Sequence, residues 1–414
     1  MAYSHDGFGL GHVRRNTNIA ARFVRDTPGS NALLVVGCSP GAFFRSGAGV
    51  DFIKIPSIVK VDTEVWRPRS LQMSEEKIRV IRTRLIQQAA DTFRPDIFLV
   101  DYTPTGVWGE LLPTLSMLKQ RKDPPVIVLG IRDILDAPEV TCKAWRQKGA
   151  YEVISKYYDE ILVYGSQDVF DTAAQYGLDT VVQGKIRYCG YVCTEEPYKT
   201  KERMRAQLQL SKDKFIVVTA GGGHDAYPMM MACIEAFQLL GKDLAFEALL
   251  ITGPLMEPQQ QEALQVQAEK LGVRLLTCVE DSLSYISAAD LVVTMAGYNS
   301  LCEVLHLGKK TLVIPRCGPS AEQQTRARLL ADRRLIDMID PRDLSPELLA
   351  ERLREDLERD DYPIFDRAVR LDGAARAAAQ LSELVVKPAC PEPGVMDPHR
   401  SSLKPMLVPY ENVA

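Results

Sequence analysis

The sequence predicts two doubly wound α/β domains in tandem, each a parallel sheet covered on both faces by helices. Three observations carry this. Short apolar runs alternate with amphipathic stretches along nearly the whole chain. The apolar runs are hydrophobic at successive rather than alternate positions, as buried parallel strands are. At 414 residues the chain exceeds one ordinary domain and divides into two of usual size.

In the N-terminal half, strands are expected at Ala32–Gly37, Phe52–Pro56, Ile97–Asp101, Val126–Ile131 and Glu160–Tyr164. Helices are expected between them at Val13–Val24, Ser74–Phe93, Val140–Tyr157 and Val169–Tyr176. In the first helix Ile19, Ala20, Phe23 and Val24 share one face and the arginines lie elsewhere. The C-terminal half repeats the alternation more regularly. Its strands are expected at Phe215–Thr219, Ala248–Thr252, Val273–Val279, Leu291–Met295 and Thr311–Pro315. Its helices are expected at Tyr227–Leu240, Pro258–Leu271, Ser282–Ala288, Ser300–Leu307 and Ala321–Ala331, with a last helical stretch over Asp366–Val385. The division predicted is 1–192, 193–386 and a tail from Lys387 that carries six prolines in 28 residues and reads as disordered. One departure stands out: only Met1-Ala2-Tyr3 precedes the first glycine loop, where an open α/β sheet normally begins with a full strand.

Composition narrows the function classes. Apolar residues make up 46% and charged residues 25%, as in a globular protein. A net charge of −4 gives no electrostatic case for nucleic acid. No apolar run reaches the roughly 18–20 residues that span a bilayer, and no basic-then-apolar leader opens the chain. The nine cysteines are odd in number and contain no Cys-x-x-Cys pair; Cys38, Cys233, Cys278 and Cys302 read as small buried hydrophobes. A reducing, cytoplasmic setting is expected. Arg79, Arg82 and Arg84 cluster on one predicted helix, which leaves a peripheral membrane contact open, although a solvated charged face explains them equally.

Four segments carry chemistry. Leu291–Glu303 reads as buried strand, glycine turn and helix start, with Asn299 or Ser300 as cap. Such a turn aims N–H groups and the positive end of a helix dipole at one spot, which suits a phosphate. Glu303, one turn into the helix, suits ribose hydroxyls, and Gly297 supplies backbone freedom. An ordinary strand-to-helix turn would look the same. The second segment, His5-Asp-Gly-Phe-Gly-Leu-Gly-His12, sets Gly7, Gly9 and Gly11 at alternate positions before a helix. This is not the dinucleotide fingerprint, and no acidic residue follows a second strand as NAD would require, so a dehydrogenase is disfavoured. His12 at the helix mouth suits a general base, or merely caps the loop. The third, Thr219-Ala-Gly-Gly-Gly-His-Asp225, places Gly221, Gly222, Gly223 and His224 in a turn or phosphate cradle. The fourth, Pro315–Gln324, opens a helix with Glu322, Gln323 and Gln324, whose donors and acceptors suit sugar hydroxyls. Asp101 and Arg132-Asp133 end N-domain strands, where ligands of open sheets bind, the latter two reading more as a structural pair.

Together these segments resemble the GT-B glycosyltransferases, in the branch of the peptidoglycan N-acetylglucosaminyltransferase and the plant galactolipid synthases. Within it, the chain resembles predicted bacterial glycosyltransferases that begin Ser-His-Asp-Gly-x-Gly-x-Gly-His. The resemblance runs over residues 3–385 and is most specific at Ser4–Arg15 and Met295–Gln324. It implies two Rossmann-like domains facing a central cleft, the donor on the C-terminal one and the acceptor on the N-terminal one. It also implies Gly297, Tyr298, Asn299 and Ser300 near a donor diphosphate, Glu303 on the ribose, and Glu322, Gln323 and Gln324 facing the donor sugar. Gly221–His224 would border the phosphates. The Gly9 and Gly11 loop and His12 would lie on the acceptor side, with Asp101 and Asp6 as rival bases. The chain contains no Asp-x-Asp pair, which fits transfer without a metal or other cofactor. The expected activity is inverting transfer from a UDP-sugar to an acceptor hydroxyl that is a small molecule, lipid or glycan. A nucleotide-sugar epimerase of the same fold, whose Gly-Thr-Arg-Pro loop is missing here, and a non-catalytic nucleotide-sugar binder are the alternatives.

Overall fold

A computed structural model describes residues 1–4, 11–38, 47–62, 65–182, 184–241, 246–364 and 369–385. Gly9, Asp6 and the proline-rich tail lie outside them. The first domain runs β1 (Ala2–Tyr3), α1 (Gly11–Asp26), β2 (Ala32–Val36), β3 (Val50–Lys54), a hairpin of β4 (Ile58–Asp62) and β5 (Val65–Pro68), then α2 (Glu75–Phe93). It continues through β6 (Ile97–Asp101), α3 (Leu112–Lys119), β7 (Val126–Arg132), α4 (Pro138–Gln147), α5 (Ala150–Tyr157), β8 (Glu160–Tyr164), α6 (Thr172–Gln175) and β9 (Ile186–Tyr188). Its seven-stranded sheet has the order β3-β2-β1-β6-β7-β8-β9 and is parallel throughout.

The second domain runs α7 (Lys201–Gln207), β10 (Lys214–Thr219), α8 (Tyr227–Leu240), β11 (Phe246–Ile251), α9 (Pro258–Lys270), β12 (Arg274–Leu276) and α10 (Ser282–Ala288). There follow β13 (Leu291–Thr294), α11 (Tyr298–His306), β14 (Thr311–Val313), α12 (Glu322–Asp332), β15 (Asp337–Met338), α13 (Pro346–Glu358) and α14 (Gly373–Val385). Its sheet order, β12-β11-β10-β13-β14-β15, is that of a doubly wound nucleotide-binding fold. Every residue of β6 and β13 is buried, which explains why these strands lack alternation.

The short start is accommodated at the centre of the first sheet. Ala2 pairs with Leu34 on one side and Leu99 on the other, so two residues suffice to hold β1 in place. Asn16 Nδ2 then donates to Ser4 Oγ at 3.1 Å and ties the strand end to α1.

Several expectations need correction. The single helix expected over Val140–Tyr157 is two, broken at Gly149, which adopts the left-handed region (φ 62°) between α4 and α5. The strand over Val273–Val279 shrinks to Arg274–Leu276, leaving Cys278 exposed in a loop rather than buried. The hairpin β4–β5, α3, α7 and α13 were not anticipated; α13 carries a plain start signal in Ser345, whose side chain accepts from Leu348 N at 3.2 Å. The arginines of α2 do not form one charged face: Arg82 is buried and donates to Glu110 Oε1 at 3.0 Å, while Arg79 pairs with Glu76.

The domain division at residue 386 also needs correction. Helix α14 packs on α1 of the first domain, and Thr27 Oγ1 and Ser382 Oγ lie 2.6 Å apart. Its alanines let the two helices approach closely. The chain therefore crosses between domains twice, near Tyr191 and again near Arg370, where Tyr191 N donates to the Arg370 carbonyl at 2.8 Å.

Candidate active site

In each sheet the winding direction reverses at one place, between β1 and β6 in the first and between β10 and β13 in the second. Loops leaving the carboxyl ends of strands at such a point diverge and open a crevice. Here the two crevices face each other and form one cavity of about 500 Å³. Its lining includes His12, Arg14 and Arg132 from the first domain, and Gly221–Asp225, Gly297–Ser300, Glu303, Arg316, Glu322 and Gln323 from the second.

On the first-domain side α1 carries His12 and Arg15 to the end of β6. Asp101 is fully buried there; its Oδ2 lies 2.6 Å from His12 Nδ1 and its Oδ1 accepts from Arg15 Nη2 at 2.6 Å. Burial alone would raise the Asp101 carboxyl, but Arg15 and His12 outweigh it and hold it well below the usual carboxylate range. A carboxylate facing Nδ1 fixes the tautomer with the proton on Nδ1 and the ring lone pair on Nε2. The 3.1 Å approach of Arg15 Nη2 to Nδ1 is then a contact, since that nitrogen is already a donor. Burial pushes the His12 pKa down; Asp101 opposes this, and Arg15 and Arg132 add to it. His12 is thus a neutral imidazole at pH 7, with 20% of its side chain reaching the cleft.

On the second-domain side, α11 begins at Tyr298 with Gly297 as its N-cap and no side-chain cap hydrogen bond. Neither Asn299 nor Ser300 caps it, contrary to expectation. With glycine at the cap, no cap side chain competes for the first-turn N–H groups, and Gly297–Ser300 line the cavity, an arrangement that suits an anion. Gly297 has φ −63°, so its backbone is ordinary, again unlike the expectation. The glycine that geometry demands is Gly223: at φ 88° a Cβ there would fall 2.0 Å from the Thr252 carbonyl oxygen. The loop after β10 thus lies directly on the loop after β11, and Leu255 N donates to Gly222 O at 2.8 Å.

The expected donor residues divide. Gly221, Gly222, Gly223, His224, Asn299 and Ser300 line the cavity. Tyr298 touches it but works mainly between the domains: its hydroxyl donates to Tyr164 O at 3.0 Å and accepts from Val192 N at 2.8 Å. Asn299 Nδ2 donates to Gly11 O at 3.3 Å, joining the start of α1 to the start of α11. Glu303 is buried, pairs with Arg14 across the cleft, and accepts from Ser282 Oγ at 3.3 Å. Glu322 faces Arg132 at 2.8 Å and Arg316 at 3.1 Å, and Gln323 Oε1 accepts from Arg316 N at 3.2 Å. Gln324 lies outside the lining, because successive helical residues turn about 100° apart and three in a row cannot face one cleft. Arg132 and Asp133 are not a pair with each other. Asp133 binds Arg326 of α12 through two bonds of 2.8 and 3.0 Å, both residues being buried.

Sequence reasoning missed Arg316 and the loops at Gly253–Leu255 and Cys278–Glu280, all of which line the cavity. No spacing marks the two loops; they join the site because β11 ends beside β10 and β12 beside β11. Arg14 was visible next to His12, but its partner Glu303 lies 289 positions away in the chain.

Comparisons with known proteins bear on this geometry. Residues 215–381 match the Glycosyltransferase family 28 C-terminal domain. The chain has the GT-B fold, and its second domain is similar to the C-terminal domain of that family. The calicheamicin glycosyltransferase CalG4 is similar in structure at TM-score 0.61 and 14% identity, covering 94% of this chain and 99% of that one. A putative UDP-N-acetylglucosamine 2-epimerase from Listeria monocytogenes is similar at TM-score 0.60 and 12% identity, covering 92% and 94%. In sequence, the UDP-N-acetylglucosamine–N-acetylmuramyl-(pentapeptide) pyrophosphoryl-undecaprenol N-acetylglucosamine transferase 2 of Bacillus thuringiensis (strain Al Hakam) is 26% identical over 204 residues, or 49% of this chain. The chain spans about half of that relative's length, 53%. No helix among the described residues is long and apolar enough to cross a membrane.

Proposed function

We propose that this GT-B protein is a metal-independent, inverting glycosyltransferase that moves a sugar from a UDP-sugar to an acceptor hydroxyl. The observation that carries the reading is the pairing across one cavity of a neutral His12, oriented by buried Asp101, with the uncapped N-terminus of α11. The acceptor O–H gives its proton to His12 Nε2 while its oxygen bonds the anomeric carbon. The bond from that carbon to the diphosphate oxygen breaks, and the electron pair leaves on the nucleoside diphosphate. Such a base contributes a rate factor of about 10²–10⁴. The first-turn N–H groups of α11 and the guanidinium groups of Arg14, Arg132 and Arg316 stabilise the departing charge, the task a metal performs elsewhere. Attack opposite the leaving group inverts the anomeric centre. Glu303 takes the ribose hydroxyls in exchange for Arg14, and Glu322 with Gln323 meets the donor sugar. The name of the Bacillus relative, which includes a UDP-sugar, supports the choice of nucleotide. A cytoplasmic setting accords with the eight free cysteines among the described residues.

The test is titration with UDP, followed by incubation with a panel of UDP-sugars and an acceptor extract while free UDP is measured. UDP binding and acceptor-dependent release are expected. Absence of any nucleoside diphosphate binding would sink the reading, and conversion of a UDP-sugar without an acceptor would replace it with an epimerase.

A further inference from the structure

A second cavity, of about 350 Å³, abuts the first. Trp66 of the β4–β5 hairpin, Tyr102 after β6 and Trp145 on α4 wall it, and Pro319 of the second domain closes one side. Tyr102 separates the two cavities. Its ring stands edge-on to the His12 imidazole at 5.3 Å, and the Arg132 guanidinium lies 5.5 Å from its centre. Its backbone has φ 70°, a region that bulky residues seldom adopt and that gathers at functional sites.

Several polar groups of this second cavity are engaged within the protein, and the exposed Lys143 and Gln147 also line it. Thr103 Oγ1 and Thr105 Oγ1 both donate to Gly106 O, at 3.3 and 3.0 Å. Asp136 Oδ1 accepts from Ala137 N and Ala321 N, each at 2.8 Å. A sugar ring needs many donors and acceptors, which these groups do not offer. A flat apolar ring needs aromatic and aliphatic walls, which the two tryptophans and Tyr102 supply.

We propose that this cavity is the acceptor site and that it takes a phenol, seated between Trp66 and Trp145 with its hydroxyl directed past Tyr102 to His12. The proposal rests on the glycosyl-transfer reading. A phenol suits the base as well: its hydroxyl ionises near pH 10, as tyrosine does, within reach of a neutral imidazole.

Trp66 and Trp145 are two of the three tryptophans of the chain, and none lines the donor cavity, so intrinsic fluorescence in a Trp108→Phe background reports on this site rather than on the donor cavity. Titration with 4-nitrophenol is expected to quench it saturably, with or without saturating UDP. Trp145→Ala should weaken 4-nitrophenol at least tenfold and change UDP affinity, measured by calorimetry, less than twofold. Val140→Phe, at a rim position 44% exposed, fills the cavity from the surface and should act alike where Trp145→Ala fails to fold. His12→Ala should keep 4-nitrophenol binding and lose glycosylation of 4-methylphenol, whose hydroxyl, like that of tyrosine, stays protonated at neutral pH without a base. Saturable quenching by methyl glucoside but not by 4-nitrophenol overturns the phenol class. Intact UDP binding with no 4-nitrophenol binding, or binding that both cavity variants leave unmoved, overturns the acceptor site. Loss of UDP binding in the unaltered protein overturns the donor reading instead.

Discussion

Replacing Asp101 with asparagine keeps the side chain's shape and removes one buried negative charge. That charge faces two groups at 2.6 Å each, His12 Nδ1 and the guanidinium of Arg15, which is only 2% exposed. In Asp101→Asn the amide oxygen turns to Arg15, since a guanidinium only donates, and the amide NH₂ faces His12. Nδ1 must then accept, which moves the ring proton to Nε2 and removes the lone pair a base requires. The expected loss in kcat is the whole contribution of a general base, about 10²–10⁴-fold, or roughly 3–5 kcal/mol. UDP affinity should stay within about twofold, because Asp101 does not line the donor cavity. The variant should also be less stable by about 3–5 kcal/mol, since Arg15 loses its counter-charge in a buried site. The assay measures UDP release with acceptor, UDP affinity by calorimetry, and urea unfolding. In the unaltered protein kcat/KM for the proposed transfer should rise with pH through a value below the ordinary histidine pKa of 6.5, following the downward shift of His12, and then level. Asp101→Asn with full activity, or with UDP affinity falling in step with kcat, would refute the orienting role.

Other predictions follow from the same geometry. Glu303→Gln should weaken UDP binding by about 10–100-fold, the worth of a charge-assisted hydrogen bond to ribose, with UMP and UDP affected alike in titrations. Gly223→Ala should lower thermal stability and abolish UDP binding together, because its Cβ would strike the Thr252 carbonyl at 2.0 Å and the two loops must part. Asp356 is buried beside Asp337, and burial first and that neighbour second raise its pKa to about 7. A carboxyl raised above its unfolded value favours the folded state most at low pH and loses that contribution as pH rises through the folded value. Asp356→Asn should therefore match the unaltered protein in stability near pH 4 and exceed it by a few kcal/mol at pH 8, as followed by urea unfolding; equal pH slopes for the two proteins would refute this.

How much of this was legible beforehand differs by element. Strands such as Ile97–Asp101 and Phe215–Thr219 were plain, because a strand covered on both faces must be apolar throughout. Their loops were plain too, because Gly221–Gly223 and Gly297 stand directly after such strands. Other elements left no such mark. The helix α13 shows only its start, at Ser345, and which face it buries is set by packing against α8. The hairpin that supplies Trp66 has two short strands with no apolar run.

The sequence by itself determined the fold class and the carboxyl-end loops, through local periodicity and glycine placement, and it singled out His12, Asp101, Glu303 and Glu322 as candidates, which the fold brings to or beside one cavity. Only the tertiary structure decided which partners the candidate residues take. It sent Tyr298 to the interdomain contact and paired Asp133 with Arg326 rather than with Arg132. It set Arg14 against Glu303, and it returned α14 to the first domain. Each of these is a contact between residues far apart in sequence, and burial makes a charge take whichever partner the packed domains bring within reach. No local pattern records that choice.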